Sequence, residues 1–434
     1  MKLNYKRTML VGLAFLSICT FWQMYDFTVP LILKNTYGLN DTWSGVVMAM
    51  DNVLALFLLP FFGALSDRCK AGIGRRMPFI LLGTGLAVVW IVLMPTVIGF
   101  NSLTAFLILL GLLLVSMGLY RSPAVALMPD VTPKPLRSKG NAIINLMGTV
   151  GGMLTLVLNS FVIRHFVNES GETVSDYTYL FYAVALIMAV SVFILFRTIH
   201  ERPLVKEMER INYGETEEET AVTHDEKSGK MNPAVMRSLL LILFSVAFWF
   251  MGYNAVTTAF SKYAMATWHV QEGTASNCLL LATGVATLSY LPVGIISSRL
   301  GRKKVILAGA AVLALCFFLA GRVQTLDALT FVLFGVVGIA WASINVNSFP
   351  MVVELASGAD TGKYTGYYYT FSMAAQVLTP IISGWLLQHV GYHTLFPYAA
   401  AMVAVSVCTM CFVKHGDAKP DAKRGLEAFD AGDD

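Results

Sequence analysis

The feature that most constrains this 434-residue chain is a charged turn that occurs twice, each time between two long apolar segments. The first copy reads Gly63-Ala-Leu-Ser66-Asp67-Arg68-Cys69-Lys70-Ala-Gly-Ile-Gly74-Arg75-Arg76-Met-Pro78. The second, shortened copy reads Gly294-Ile-Ile-Ser297-Ser298-Arg299-Leu-Gly301-Arg302-Lys303-Lys304. Gly63 aligns with Gly294, Ser66 with Ser297, Arg68 with Arg299, Gly74 with Gly301 and Arg75 with Arg302, while Ser298 replaces Asp67. A charged turn at matching places in two hydrophobic halves implies a duplicated membrane bundle, the architecture of a transporter.

Composition supports this reading. The chain is 56% hydrophobic and 13% charged, with a mean hydropathy of +0.64, whereas soluble domains carry roughly 25% charged residues. About 20 mainly apolar residues cross a bilayer. Twelve such spans are expected, at 9–34, 44–65, 77–99, 103–128, 140–163, 177–197, 236–264, 274–297, 303–321, 328–352, 363–388 and 393–413. The expected fold is therefore all-α and membrane-integral, with two pseudo-symmetric six-helix bundles. Its divisions are an N-terminal bundle over 1–200, an acidic linker over 201–235, a C-terminal bundle over 236–414 and a solvated tail over 415–434. The linker holds too little bulky apolar surface to fold alone, although Leu204 to Tyr213 can form a surface helix.

Of the 31 Lys and Arg, only Lys34, Arg164, Lys262 and Arg322 fall in the alternate loops, and Arg121 lies inside a span. The positive-inside rule then predicts a multi-pass protein of the cytoplasmic (inner) membrane with both termini inside. The net charge of +4 is spread over loops, so nucleic acid is not an expected partner. The six cysteines give no disulfide framework, and the seven histidines show no metal-ligand spacing. No enzyme motif is present, and no cofactor is expected.

Charges inside spans are costly and are functional by default. They comprise Asp26, Asp51 and Arg121, with Asp130 and Glu354 near span ends. A proton carrier needs a carboxylate that burial can neutralise and a cation that releases the proton. Asp26, Asp51 and Asp130 are the candidate carriers, and Arg121 is the counter-charge; the alternative is a buried ion pair that joins helices. Trp22 and Gln23 share the Asp26 face of the first span and suit a sugar, one by stacking and one by hydrogen bonding. In the charged turns, Asp67, Arg68, Arg75, Arg76, Arg299 and Arg302 are gating candidates, joined by Glu354, while Lys70 and Lys303 are read as topological.

The run Gly-x-x-Ser66-Asp67-Arg68-Cys69 with Gly74-Arg75-Arg76-x-Pro78-Phe79 resembles the loop of sucrose transporters in the glycoside–pentoside–hexuronide cation symporter family, within the major facilitator superfamily. Pro123-Ala-Val-Ala-Leu127-Met-Pro-Asp130, Asn141-Ala142 and the stretch from Thr361 to Ser372 are also similar to family members. The likeness covers about the whole length. It implies uptake of a disaccharide or small glycoside with a cation, usually a proton, by alternating access. Two positions depart from the family. Leu59 and Ala55 stand where sodium-coupled members carry carboxylates, which favours a proton. Val125 stands where the family has an arginine, with Arg121 one helical turn away.

The resemblance also implies a cavity lined by spans one, four, seven and ten, assisted by five, eight and eleven. On these spans the candidate sugar contacts are Trp22, Gln23, Asp26, Tyr120, Arg121, Asn141, Asn145, Trp249, Tyr253, Asn254, Trp341, Asn345 and Gln376, with Asn277 and Asn347 also present. Amides and rings with little net charge suit a neutral polyol. The expected partners are the sugar, the proton and the bilayer, for a monomeric chain. Sodium coupling, export of another small molecule and a non-transporting sugar sensor are the alternatives.

Overall fold

The computed structural model describes residues 3–133, 137–167, 173–208, 210, 233–353, 355 and 361–415. Among these residues twelve long helices follow one another. The first six are α1 (Tyr5–Asn35), α2 (Asp41–Asp67), α3 (Met77–Gly99), α4 (Leu103–Asp130), α5 (Arg137–Val162) and α6 (Thr178–Thr198). The second six are α7 (Pro233–Trp268), α8 (Glu272–Leu300), α9 (Arg302–Ala320), α10 (Ala328–Val353), α11 (Thr361–His389) and α12 (Leu395–Cys411). Eleven of them are long and apolar enough to cross a membrane, counted over the described residues. The twelfth, α8, has 29 residues, a rise of about 43 Å at the usual helical pitch.

Lipid offers no partner to a backbone N–H or C=O, so each span satisfies its own groups as a helix. Side chains start several of them: Asn40 Oδ1 accepts the Trp43 N–H at 2.9 Å and Ser102 Oγ accepts the Ala105 N–H at 3.4 Å. Such caps supply orphan N–H groups with an acceptor. Short connections make neighbouring helices antiparallel. The bundle therefore has one end bearing the start of α1 and the end of α12 (the terminal end) and an opposite, far end.

The duplication is visible in the packing. Within the first six helices α1 packs on α5 and α6, α4 on α2 and α3, and α3 on α6. Adding six to each label gives contacts that also exist: α7 on α11 and α12, α10 on α8 and α9, and α9 on α12. The halves meet through α1 and α7 and through the related pairs α2–α11 and α5–α8. The repeated turns agree in backbone shape, with Gly74 at φ +131° and Gly301 at φ +93°. Side chains other than glycine rarely adopt that region, so both glycines are required by the turns.

Two features differ from expectation. An antiparallel hairpin, β1 (Arg164–Val167) and β2 (Thr173–Asp176), lies at the far end between α5 and α6. The start of the acidic segment is a docked helix over 201–208, with Glu201 1% exposed and Met208 buried. Residues 211–232 and 416–434, and with them most of the expected linker and tail, lie outside the described residues.

Candidate functional site

A cavity of about 390 Å³ lies between the halves at mid-height. Helices α1, α2, α4 and α5 form one wall; α7, α8, α10 and α11 form the other. The first wall carries every charged residue of the lining, namely Asp26, Asp51 and Arg121. The second is uncharged and presents Asn254, Thr257, Thr258, Thr283, Tyr290, Asn345 and Gln376. Arg121 also lies over the Trp22 ring, 5.8 Å from its centroid. Asn52 donates to Asp51 at 2.8 Å, orienting that carboxylate.

Several polar atoms at the cavity are buried and, among the described residues, have no hydrogen-bond partner: Trp22 Nε1, Asn145 Oδ1 and Asn254 Nδ2. Two are donors and one is an acceptor, contributed by both halves. A buried polar atom without a partner costs roughly 1–3 kcal/mol, so such atoms at a cavity wall are suited to take the polar groups of a ligand. By contrast, Thr149 donates to the Asn145 backbone carbonyl at 3.1 Å and Thr258 to the Asn254 backbone carbonyl at 2.7 Å. Their hydroxyl oxygens keep lone pairs as acceptors.

The structure brings Trp22, Gln23, Asp26, Asp51, Arg121, Asn145, Asn254, Asn345 and Gln376 together at this cavity. Other sequence candidates lie elsewhere. Tyr120 is buried and donates to the Ala14 carbonyl at 2.9 Å. Trp249 is fully buried. Tyr253 stacks on Trp341 at 3.7 Å between ring centroids, and neither is in the lining. Asn141 is outside the lining, Asn277 accepts from Ser160 at 2.7 Å, and Asn347 donates to the Ser343 carbonyl at 2.9 Å. Sequence reasoning passed over Asn52, Thr149, Thr257, Thr258, Thr283 and Tyr290. The helical period offered a signal for two of them, because Thr149 and Thr258 lie one turn from Asn145 and Asn254.

The charged turn between α2 and α3 forms a compact ion cluster at the terminal end. Arg76, 6% exposed, donates from Nε to Asp130 at 2.9 Å and from its terminal nitrogens to Ser66 Oγ at 2.5 Å and to Asp67. Arg75 holds the same Asp130 at 2.7 Å. The rigid guanidinium fork suits this multiple pairing. Asp130, a candidate proton carrier, is thereby placed in the ion cluster and away from the cavity, and Arg76 rather than Arg75 is its hub.

Glu201 completes the cluster. Its carboxylate accepts the N–H groups of Arg75, Arg76 and Met77 at 2.8, 2.9 and 2.8 Å, which satisfies the free start of α3. A Cβ on Gly74 would come within 2.2 Å of that carboxylate, so the glycine also provides close approach. In the second copy Arg68's counterpart Arg299 is exposed, as is Arg68, while Arg302 is buried. Lys303 donates to the Cys411 and Val413 carbonyls at 3.1 and 2.6 Å, tying α9 to the end of α12. Glu354 lies outside the described residues.

At the far end the halves are joined by side chains of which the sequence singled out only Lys34 and Lys262, as loop charges. Lys262 of α7, with its side chain 4% exposed, pairs with Asp41 of α2 at 3.0 Å and reaches Ser44 at 3.4 Å. Asp41 also accepts from Tyr392 at 2.7 Å and faces Lys34 at 3.9 Å. Nearby, Tyr177 and Ser175 donate to Glu272 at 2.6 and 2.7 Å. Burial, and then the Glu272 charge, pushes the Tyr177 hydroxyl well above its ordinary pKa. Among the described residues no group of three His, Cys, Asp or Glu is placed to hold a metal ion.

Known proteins bear on this geometry. Residues 11–284 and 242–432 match the profile described as Major Facilitator Superfamily. A sucrose transport protein of Arabidopsis thaliana, SUC3, is 25% identical over 138 residues, 27% of this chain and 23% of that protein. The transporter YuxJ of Bacillus subtilis, described as uncharacterized, is 21% identical over 86% of this chain and 88% of its own length. The chloramphenicol resistance protein CraA of Acinetobacter baumannii is 29% identical over 28% of this chain and 29% of that protein. The matches to SUC3 and CraA thus span less than a third of those relatives. Among solved structures, the nucleoside transporter NupG superposes with a TM-score of 0.68 at 15% identity, covering 94% of this chain and 100% of that one. The inward-open xylose transporter XylE of E. coli gives 0.66 at 16% identity, covering 98% of each chain.

Proposed function

Because this chain belongs to the major facilitator superfamily, we propose that it is a proton-coupled symporter of a disaccharide or other small glycoside, working by alternating access in the cytoplasmic membrane with both termini inside. The observation that carries this reading is the set of buried, partnerless polar atoms at the central cavity: Trp22 Nε1, Asn145 Oδ1 and Asn254 Nδ2. A sugar hydroxyl donates and accepts, so a polyol satisfies all three together. The uncharged second wall extends that recognition with further amides and hydroxyls.

Coupling falls to the charged wall. Asp26 takes up a proton as the sugar binds and releases it on the other side, where Arg121 supplies the balancing charge. Asp51, steadied by Asn52, is the second carboxylate of this set. Ala55 and Leu59 line a small void behind Asp51 and Arg121 and offer no oxygen ligand, which favours a proton over sodium. The ion cluster around Arg76 acts as the latch of the terminal end. The partial likeness to sucrose transport proteins supports placing the chain in their branch of the glycoside symporters.

The test is sugar-induced proton movement in proteoliposomes, with sucrose, maltose, trehalose and glucose offered first without sodium and then with it. Alkalinisation outside on adding one of them supports the reading. Uptake that begins only with sodium overturns the cation assignment. Silence under both conditions overturns the sugar.

A further inference from the structure

The buried charges at the far end have no part in the mechanism above, and they sit directly over the cavity. We propose that Asp41 and Lys262 form the gate that holds the far end closed, and that breaking this pair is the step that lets the cavity open to that side. This inference needs the two halves to rock about the cavity, but neither a sugar nor a proton.

Three observations carry it. First, the pair joins the halves: Asp41 belongs to α2, Lys262 to α7, and the contact is 3.0 Å with both side chains buried. Second, the surrounding seam is built for close approach. A Cβ on Gly45 would lie 1.9 Å from the Pro380 carbonyl oxygen, and one on Gly384 would lie 2.3 Å from that of Asp41. Third, only a water-sized space separates the pair from the cavity. A void of about 10 Å³ beside Lys262 is lined by Met48, Thr258 and Pro380, and these three also line the cavity. Opening this end would pull α2 from α7 and α11, carry Asp41 away from Lys262 and admit water to both charges.

The electrostatics of the cluster make the effect of each substitution different. Asp41 serves Lys262, Tyr392 and, at 3.9 Å, Lys34. Asp41→Asn would leave two lysines facing one another with no anion between them. That strongly destabilises the closed end, because a buried charge without its partner is far costlier than a buried pair. Lys262→Gln is milder, since Asp41 keeps Lys34 and Tyr392. The double variant Asp41→Asn/Lys262→Gln removes both buried charges, and replacing a buried pair by neutral groups is often close to neutral.

The experiment is a distance measurement across the far end in lipid nanodiscs. Spin labels go on cysteines at exposed Thr104 of α4 and exposed Thr325 in the α9–α10 connection, with the six native cysteines replaced by alanine. Asp41→Asn is expected to raise the longer-distance population by about tenfold or more relative to the parent pair. Lys262→Gln should raise it less, and the double variant should return toward the parent. An unchanged distribution in Asp41→Asn, or a double variant as open as Asp41→Asn, would overturn the proposal. Should Asp41→Asn not fold, the comparison of Lys262→Gln with the double variant decides the same question. No sugar and no proton gradient enter the measurement, so its failure is separable from failure of the symport reading.

Discussion

Replacing Gly45 by alanine is expected to prise the far end apart, and the structure sets the size of the effect. The added Cβ would meet the Pro380 carbonyl oxygen at 1.9 Å and its carbon at 2.7 Å. Ordinary contact begins near 3.4 Å. Both atoms are backbone of α11, so no side-chain rotation relieves the clash, and α2 must move away from α11. Overpacking of this kind costs about 1–3 kcal/mol, here charged against the closed state alone because the contact is lost on opening. The ratio of open to closed molecules should then rise by roughly 5- to 150-fold. Gly85→Ala is the control, since nothing lies within 4 Å of a Cβ there; in a helix interior that change is neutral or mildly stabilising. The assay is the same spin-label distance between Thr104 and Thr325, read for both variants at one temperature. A Gly45→Ala distribution indistinguishable from that of Gly85→Ala would refute the steric reasoning.

Asp26→Asn should abolish accumulation of sugar against its gradient while leaving exchange of labelled for unlabelled sugar across the vesicle; uphill uptake that persists would remove Asp26 as the carrier. Asn254→Ala should weaken sugar binding by about tenfold, the loss of one hydrogen bond near 1.4 kcal/mol, read as a raised KM with a similar maximal rate; an unchanged KM would take Asn254 out of the site. Glu201→Ala should lower the detergent-solubilised protein's melting temperature, because three N–H groups at the start of α3 lose their acceptor. Glu201→Gln should fall between the two, with one amide oxygen still accepting, and equal melting of all three proteins would contradict the role given to this carboxylate.

Much of the architecture was legible in the sequence because a membrane span and a repeated turn are both local patterns. The pairing of Gly74 with Gly301 survives as a shared positive φ, and the repeat it marked reappears as contacts offset by six helices. The site was harder to read. Helical period places Trp22, Gln23 and Asp26 on one face, but it does not say whether a ring on another helix faces the cavity or the core. Tyr120 and Trp249 went to the core, while Tyr253 and Trp341 stacked on each other.

The far-end pair was illegible for a different reason. Lys262 and Asp41 are separated by 221 residues, and each looks like a charge at a span end. Only the meeting of the halves buries them. Glu201 was hidden likewise, as one acid in an acidic run whose partner, the start of α3, lies 124 to 126 positions away.

The distribution of charge over the two cavity walls has a consequence for how such a protein can change. Asp26, Asp51 and Arg121 all belong to the first half, and among the described residues the second half meets the cavity with amides, hydroxyls and Pro380. If the chain is the sugar symporter proposed above, substitutions among Asn254, Thr283, Asn345 and Gln376 would alter which hydroxyl pattern fits while leaving the charged wall untouched. On the symport reading, a chain duplicated in this way acquires a new cargo by rewriting one copy, while the other keeps the charges to which that reading assigns coupling.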